Sequence, residues 1–141
     1  MITYNAPIDD MTFLFEKLRD NKYYNEIKKY NEINSNLARD ILGQAAKITE
    51  NLILPLAKIG DETPATFENG VERTPPGYKE VYKKFIEDGW VSLSCDLEYG
   101  GQGMPKTISS FFDEMLSSAS LSFKLYSELS IGAYNCILYH G

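Results

Sequence analysis

Few residues in this chain of 141 combine the types and spacing that chemistry requires. Gly100, Gly101 and Gly103 precede a predicted helix start, where backbone N–H groups can bind an anion. No Lys-Ser/Thr pair follows them, as it would in a phosphate-binding loop, and no strand–helix–strand pattern surrounds them. We interpret the three glycines as turn residues with positive φ, with an anion site as the alternative.

The sequence has too few histidines and cysteines to predict a catalytic triad or a metal site. His140 is the single histidine, and we place it at a helix end, near the negative end of the dipole. Cys95 and Cys136 are the two cysteines and form no CxxC pair, so neither a disulfide framework nor a zinc site is predicted. A reducing, cytoplasmic setting is the expectation.

Glu128 is a carboxylate among apolar helical neighbours, where burial would disfavour its charged form. We favour the interpretation that Lys124, four residues earlier, or an opening to solvent satisfies it. Asp96 and Glu98 flank a turn and are predicted to be solvated. No complete active site emerges from these residues, and Glu128 is not predicted to be a catalytic base.

The stretch 120–141 (SLSFKLYSELSIGAYNCILYHG) is the helix around which the rest must be arranged. At about 3.6 residues per turn it is apolar on nearly every side. Lys124 and Glu128 interrupt it, which argues against a membrane span. Such a helix needs protein neighbours all round, which suggests the front part of something larger.

Periodicity predicts further helices that would position this one. The first is a short helix from Asp9 or Asp10 that carries Phe13, Leu14 and Leu18. The second is an amphipathic helix over 34–59, with Pro55 near its end and with one apolar face formed by Leu37, Ile41, Ala45, Ile48, Leu52 and Leu56. A third helix runs from Thr74-Pro75 to Gly89, and a fourth covers 106–118 with the apolar residues Ile108, Phe111, Phe112, Met115 and Leu116. Residues 21–34 are predicted as a surface connection and 60–74 as a loop. The fold class is therefore all-α, a bundle of about five helices with hardly any strand.

Composition excludes several partners. Twenty acidic and 14 basic residues give a net charge of −6, and the lysines are dispersed. A nucleic acid or an anionic membrane surface is therefore not the expected partner. The N-terminus has neither the basic nor the apolar segment of a secretory signal.

Several segments, in order along the chain, carry a family resemblance. Gly89-Trp90 and residues 98–105 (EYGGQGMP) resemble the "GW…EYGGQGLP" segment in the N-terminal helical domain of acyl-CoA dehydrogenases. Residues 4–13 (YNAPIDDMTF) are similar to the N-terminal extension of a longer subfamily that includes methylthiopropionyl-CoA dehydrogenases. Residues 54–55 (LP), 60–61 (GD), Val71 with 74–78 (TPPGY) and the closing His140-Gly141 also match.

The resemblance implies an extension over 1–33 and an N-terminal helical domain over 34–141 of a larger flavoenzyme. In that family, FAD and a glutamate from the C-terminal region carry out α,β-dehydrogenation of an acyl-CoA thioester. It also implies an electron-transfer acceptor and a homo-oligomer. The β-domain, the C-terminal helices, the base and most FAD contacts would lie outside this chain, which we expect to be a domain fragment, a proteolytic product or the product of a truncated gene.

For this region the resemblance implies a structural role and one wall of the acyl pocket, on the helix over 120–141. Helical spacing places Leu125, Glu128, Leu129 and Gly132 on a shared face as candidate pocket residues, and Gly132 would leave room for a ligand. Plain interhelical core is an equal alternative. No FAD is expected to bind this chain alone. Two hypotheses stand: part of an acyl-CoA dehydrogenase, or a stand-alone helical interaction or oligomerisation module without catalysis.

Overall fold

A computed structural model describes residues 3–20 and 26–141. The elements in order are α1 (Ile8–Arg19), a 3₁₀ turn (Lys28–Tyr30), α2 (Ser35–Ile48), a π-helical turn (Thr49–Ile53), α3 (Leu54–Glu62), β1 (Thr66–Glu68), β2 (Val71–Arg73), α4 (Tyr78–Glu87), two 3₁₀ turns (Trp90–Ser92 and Leu97–Tyr99) and α5 (Lys106–His140). The prediction of an all-α bundle is confirmed.

The core lies around the first half of α5. α5 packs against α2, the π-helical turn and α3, and α1 packs against α2. The buried side chains of this core are large and apolar, among them Phe15, Leu42, Ile53, Phe85, Ile108, Phe112, Met115 and Leu116. The predicted inward face of 106–118 is confirmed, with Phe111 only half-buried.

The predicted N-cap and face of α1 are wrong. Pro7 takes the N-cap position, and its carbonyl accepts the Met11 N–H, so Asp9 and Asp10 lie in the first turn, near the positive end of the dipole. Met11 and Phe15 are the buried apolar residues of the helix. Phe13, Leu14 and Leu18 are about half exposed, and only Phe13 lies on the side of the helix opposite Met11 and Phe15.

The predicted helix over 34–59 exists but is interrupted. Asn34 caps α2 by accepting the Leu37 N–H at 2.9 Å. The widened π-helical turn ends directly before Leu54-Pro55, because Pro55 has no N–H for the α-helical ladder and its ring needs room. The helix runs two residues past Gly60, and its buried face includes Ala38 and Leu42 instead of Leu37.

A β-hairpin occupies part of the predicted loop over 60–74. Thr66 pairs with Arg73 and Glu68 with Val71 in antiparallel register. Asn69 (φ 52°) and Gly70 (φ 77°) form the two-residue turn, and Asn-Gly is the sequence signal for such turns. The prediction of a plain loop is wrong, because Asn69-Gly70 lets residues on either side pair as strands.

The start of α4 is also three residues later than predicted. Pro76 keeps Pro75 out of the α region, and Gly77 adopts a left-handed φ of 82°, so the helix can begin only at Tyr78. Gly89, with φ 79°, follows the helix end and confirms the predicted stop. Tyr78 and Phe85 face the core, whereas Ile86 is half exposed.

Residues 26–34 form the predicted surface connection, with one 3₁₀ turn over Lys28–Tyr30. Residues 21–25, which the same prediction covered, lie outside the described residues. Within 3–20 and 26–141, no helix combines the length and the apolar character that a membrane crossing requires.

Candidate functional site

The helix predicted over 120–141 forms the second half of α5. Ser120 has non-helical dihedrals (φ −160°, ψ 94°), and its Oγ accepts the Phe123 N–H at 3.3 Å. Ser120 thus acts as the N-cap of a new helix. The helix axis changes direction at this break, so that residues on both sides of it, such as Asp113 and Glu128, line one cleft. The predicted division into two helices is therefore correct.

Aromatic rings hold the start of this second half against α4. Phe123 is 1% exposed and lies 5.6 Å from Phe85 and 5.9 Å from Tyr78, centroid to centroid. The Tyr78 hydroxyl lies 3.0 Å from Ser122 Oγ and donates to Leu56 O at 3.3 Å. Apolar burial and aromatic pairs of this kind make the beginning of the segment the firmly held end.

The four candidate pocket residues lie on an open surface. Leu125 is 52% exposed and Leu129 is 82% exposed, and no atom lies within 4 Å of a Cβ built on Gly132. Glu128 is half exposed, with its Oε1 3.6 Å from Lys124 Nζ, so the preferred interpretation of Glu128 is confirmed. We call the face formed by Leu121, Leu125, Leu129 and Gly132 the open strip; Leu121 is 56% exposed. In this chain the open strip is not interhelical core.

A cleft of about 250 Å³ with both apolar and charged lining residues lies between the two halves of α5, beside the Trp90–Ser92 turn. Its charged lining residues are Lys106, Asp113, Lys124 and Glu128. Loss of solvent contact raises the pKa of Asp113, which the Glu128 charge reinforces while Lys124 and Lys106 oppose it. Lys106 Nζ donates to Ser94 Oγ at 3.0 Å. Of the predicted set only Glu128 borders this cleft, because the open strip faces elsewhere.

The glycine-rich loop is bonded to itself instead of presenting an anion site. Its successive N–H groups donate to the preceding turn: Gly100 to Leu97 O, Gly101 to Asp96 O, Gln102 to Ser92 O, Gly103 to Cys95 O and Met104 to Leu93 O, at 2.9 to 3.1 Å. Because these donors are used internally, none remains for a phosphate. Gly100 and Gly103 have φ of 76° and 67°, as the turn interpretation predicts. The prediction of a positive φ is wrong for Gly101, where close approach of Cys95 leaves no room for a side chain.

The two segments of the family motif also pack on each other. The Gln102 side chain approaches Gly89 so closely that a Cβ there would lie 2.2 Å from Nε2. Gly89, Trp90, Gln102 and Met104 border a second, mostly apolar hollow of about 290 Å³. Gly89 and Gln102 of the motif are therefore explained by packing, because the Gln102 side chain needs the space that a side chain at position 89 would occupy. In the described residues the loop does not fit the phosphates of FAD.

Sequence reasoning missed the polar contact between Asp96 and the second half of α5. The Asp96 N–H donates to the Tyr134 hydroxyl at 2.9 Å, and that hydroxyl donates to Asp96 Oδ2 at 3.3 Å. Lys29 forms an ion pair with Asp96 Oδ1. The prediction that Asp96 is simply solvated is therefore wrong. No local signal could have shown this, because the partners lie 67 and 38 residues away.

His140 and Cys136 offer no further site. His140 is the last residue of α5, as predicted, where a cation is favoured by the helix dipole. Cys136 is exposed, and Cys95 is buried, which raises the pKa of its thiol. Across the described part of the chain no group of three or more potential metal ligands comes together.

The chain folds as a helical module in which one apolar helix face is open. Comparison with known proteins shows which class of protein contains a similar sequence. The chain is 37% identical over 136 residues, 96% of its length, to a 3-methylmercaptopropionyl-CoA dehydrogenase of Ruegeria pomeroyi. It is 25% identical over 143 aligned positions, 99% of its length, to a broad-specificity linear acyl-CoA dehydrogenase of Mycobacterium tuberculosis. No protein-family model matches the chain.

These comparisons confirm the predicted resemblance: nearly the whole chain is similar to a part of the acyl-CoA dehydrogenases. The chain spans 23% of the length of each of these two relatives. The activities and substrates that the relatives' names give are therefore properties of much longer proteins.

Proposed function

We propose that this chain is the N-terminal helical part of an FAD-dependent acyl-CoA dehydrogenase. The observation that carries the proposal is 37% identity along 96% of the chain to a relative with that activity in its name. The whole enzyme would remove hydrogen from the α and β carbons of an acyl-CoA thioester. This chain, spanning about a quarter of the relatives, would not catalyse the reaction by itself.

Within that enzyme the second half of α5 would supply one wall of the acyl pocket. The proposal assigns Leu125, Leu129 and Gly132 to this wall and places Glu128 at its edge, since Glu128 borders the cleft between the two halves of α5. Support comes from the exposure of Leu125 and Leu129, since apolar strips of this size seldom stay in water. The open space beside Gly132 would admit part of an acyl chain.

FAD would be held by segments beyond this chain, since the glycine-rich loop uses its N–H groups internally. FAD supplies the hydride acceptor in such an enzyme. An electron-transfer acceptor, a homo-oligomeric assembly and a cytoplasmic location belong to the same proposal. So does the division into an extension over 1–33 and a domain over 34–141.

The second candidate is a helical interaction module without catalysis. The open strip favours it, because a partner helix could bury the strip just as an acyl chain and further domains could. The two candidates differ in one respect: only the first requires a flavin and a thioester substrate.

The test is to isolate the protein as its gene encodes it, from its natural source, and to measure its mass, flavin absorbance and acyl-CoA-dependent reduction of a dye. We expect a mass several times the 16.0 kDa of this chain, a flavin spectrum and dye reduction with 3-methylmercaptopropionyl-CoA or a linear acyl-CoA. A 16.0 kDa protein without flavin would refute the enzyme and favour the module.

A variant in the whole protein tests the wall. Gly132→Val places a branched side chain in the open space. In a series of acyl-CoA substrates of increasing chain length, it should raise KM more for the long chains than for the short ones. Gly43→Ala is the matched control, since a Cβ at Gly43 also meets nothing within 4 Å but lies on α2. Equal KM values for Gly132→Val and the control would show that this helix does not form part of the acyl pocket.

A further inference from the structure

Three residues from distant parts of the sequence meet beside the second half of α5. Asp96 precedes the Leu97–Tyr99 turn, Tyr134 lies in α5, and Lys29 lies in the 3₁₀ turn of the N-terminal segment. The Tyr134 hydroxyl accepts the Asp96 N–H at 2.9 Å and donates to Oδ2 at 3.3 Å, while Lys29 Nζ pairs with Oδ1. Both carboxylate oxygens and the tyrosine hydroxyl are therefore engaged.

The geometry restrains Tyr134 in more than one direction. Its hydroxyl is held by a backbone group and a side-chain group of one residue, and its ring lies edge-on to Tyr99, at 6.2 Å between centroids. The hydrogen bond from Lys29 lowers the pKa of Asp96, so the carboxylate stays charged and accepts strongly. The hydroxyl has little freedom to shift along the helix.

The helix needs such a restraint because its later turns have few others. Phe123 and Ser127 are buried near its start, but Leu129, Ile137 and Tyr139 are 71 to 82% exposed. Among the described residues, the side-chain hydrogen bonds that join 128–140 to another element are those of Tyr134 with Asp96. This contact is therefore the hydrogen-bonded restraint available to fix the position of Glu128, Leu129 and Gly132.

We propose that Asp96 and Tyr134 form a latch, supported by Lys29, that positions the second half of α5. Resting on the proposed function, the inference adds that the latch sets the position of the acyl-pocket wall. Lys29 lies in the segment predicted as an extension, so that segment would contribute to the wall without touching substrate. Asp96, Tyr134 and Lys29 are positioning residues.

The latch is tested first by amide hydrogen exchange in the purified protein. Tyr134→Phe should raise exchange rates over 128–140 by roughly fivefold, as loss of a hydrogen bond implies, and leave 106–119 unchanged. Tyr139→Phe is the matched control: it removes a hydroxyl from the same helix at a residue that is 72% exposed. Equal exchange in the two variants would overturn the latch.

A double-mutant cycle adds a second test of the same contact. Asp96→Ala keeps the backbone N–H but removes the Oδ2 acceptor and the partner of Lys29, whereas Tyr134→Phe removes both hydrogen bonds of the contact. Each should raise exchange over 128–140, Tyr134→Phe by more, and the double variant should exceed Tyr134→Phe by little, because that substitution already removes the bond to Oδ2. Asp96→Asn, which keeps a side-chain oxygen, should lose less protection than Asp96→Ala. Fully additive effects would contradict a shared latch.

The link to the pocket is tested by kinetics on the whole enzyme. Tyr134→Phe should raise KM for the acyl-CoA several-fold with a smaller change in kcat and unchanged flavin content, whereas Tyr139→Phe should match the wild type. Faster exchange with unchanged KM would overturn the link to the wall. Absence of any dehydrogenase activity in the wild type would refute the proposed function, while the exchange data would still decide the latch.

Discussion

At the residue scale, Gly101 occupies a position in the glycine-rich loop that has no room for a side chain. A Cβ on Gly101 would lie 2.1 Å from the backbone O of Cys95 and 2.6 Å from its Cβ. Backbone atoms cannot swing aside as the end of a side chain can. The requirement at this position is close approach of two backbone segments, with Gly101 N donating to Asp96 O at 2.9 Å.

Gly101→Ala should therefore destabilise the protein by about 1–3 kcal/mol, the usual cost of overpacking, or more. Gly43→Ala is the control with the opposite sign, since Gly43 lies within α2 with no atom within 4 Å of a Cβ there. It should stabilise by about 0.5–1 kcal/mol through helix propensity. Chemical unfolding of both variants gives the comparison, and a neutral Gly101→Ala would contradict this packing.

The residue scale also shows the limit of sequence reasoning about the site. The Lys124–Glu128 pair could be predicted, because residues four apart on a helix are neighbours. The turn role of the glycines followed from residue type. The latch of Asp96 and Tyr134 could not be found in this way, because only the tertiary fold brings these residues together.

At the element scale, the break at Ser120 converts one long helical sequence into two packed helices. Ser120 is 5% exposed, so the Phe123 N–H that its Oγ accepts has little water available as an alternative partner. Ser120→Ala should lower the free energy of unfolding by about 1 kcal/mol, as loss of an N-cap usually does.

Ser117→Ala is the matched control for the cap. Ser117 is exposed and its Oγ donates back to Asp113 O at 2.7 Å within the first half of α5, so its loss should be neutral or slightly stabilising. Thermal unfolding of both variants provides the measurement. If Ser120→Ala unfolds no earlier than Ser117→Ala, the change of direction does not depend on the cap.

Element existence was predictable, whereas faces and ends were less so. The apolar periodicity of 106–118 and the nearly continuous apolar character of 120–141 predicted the two helices correctly. The start of α4 was misplaced because the pair Pro75-Pro76 and the left-handed Gly77 exclude helix, which overrides the Thr-Pro start signal. The face of α1 was misjudged because tertiary packing selected Met11 and Phe15 over equally apolar neighbours.

At the scale of the whole molecule, the open strip conflicts with the otherwise ordinary division into apolar core and polar surface. Leu121, Leu125 and Leu129 are 52 to 82% exposed along one side of a helix. A net charge of −6 opposes non-specific clustering, but a contiguous apolar strip favours association wherever a partner can cover it. The chain in isolation should therefore associate through this strip at high concentration.

Leu129→Glu should reduce that association and leave folding nearly unchanged, because the side chain is 82% exposed and loses little packing. Phe67→Glu is the matched control: Phe67 is 75% exposed and lies on β1, a different element from the open strip. Sedimentation of the isolated chain over a range of concentrations separates the two. Association that persists in Leu129→Glu and disappears in Phe67→Glu would assign the contact to the hairpin, and the open strip would then need no partner to explain its exposure.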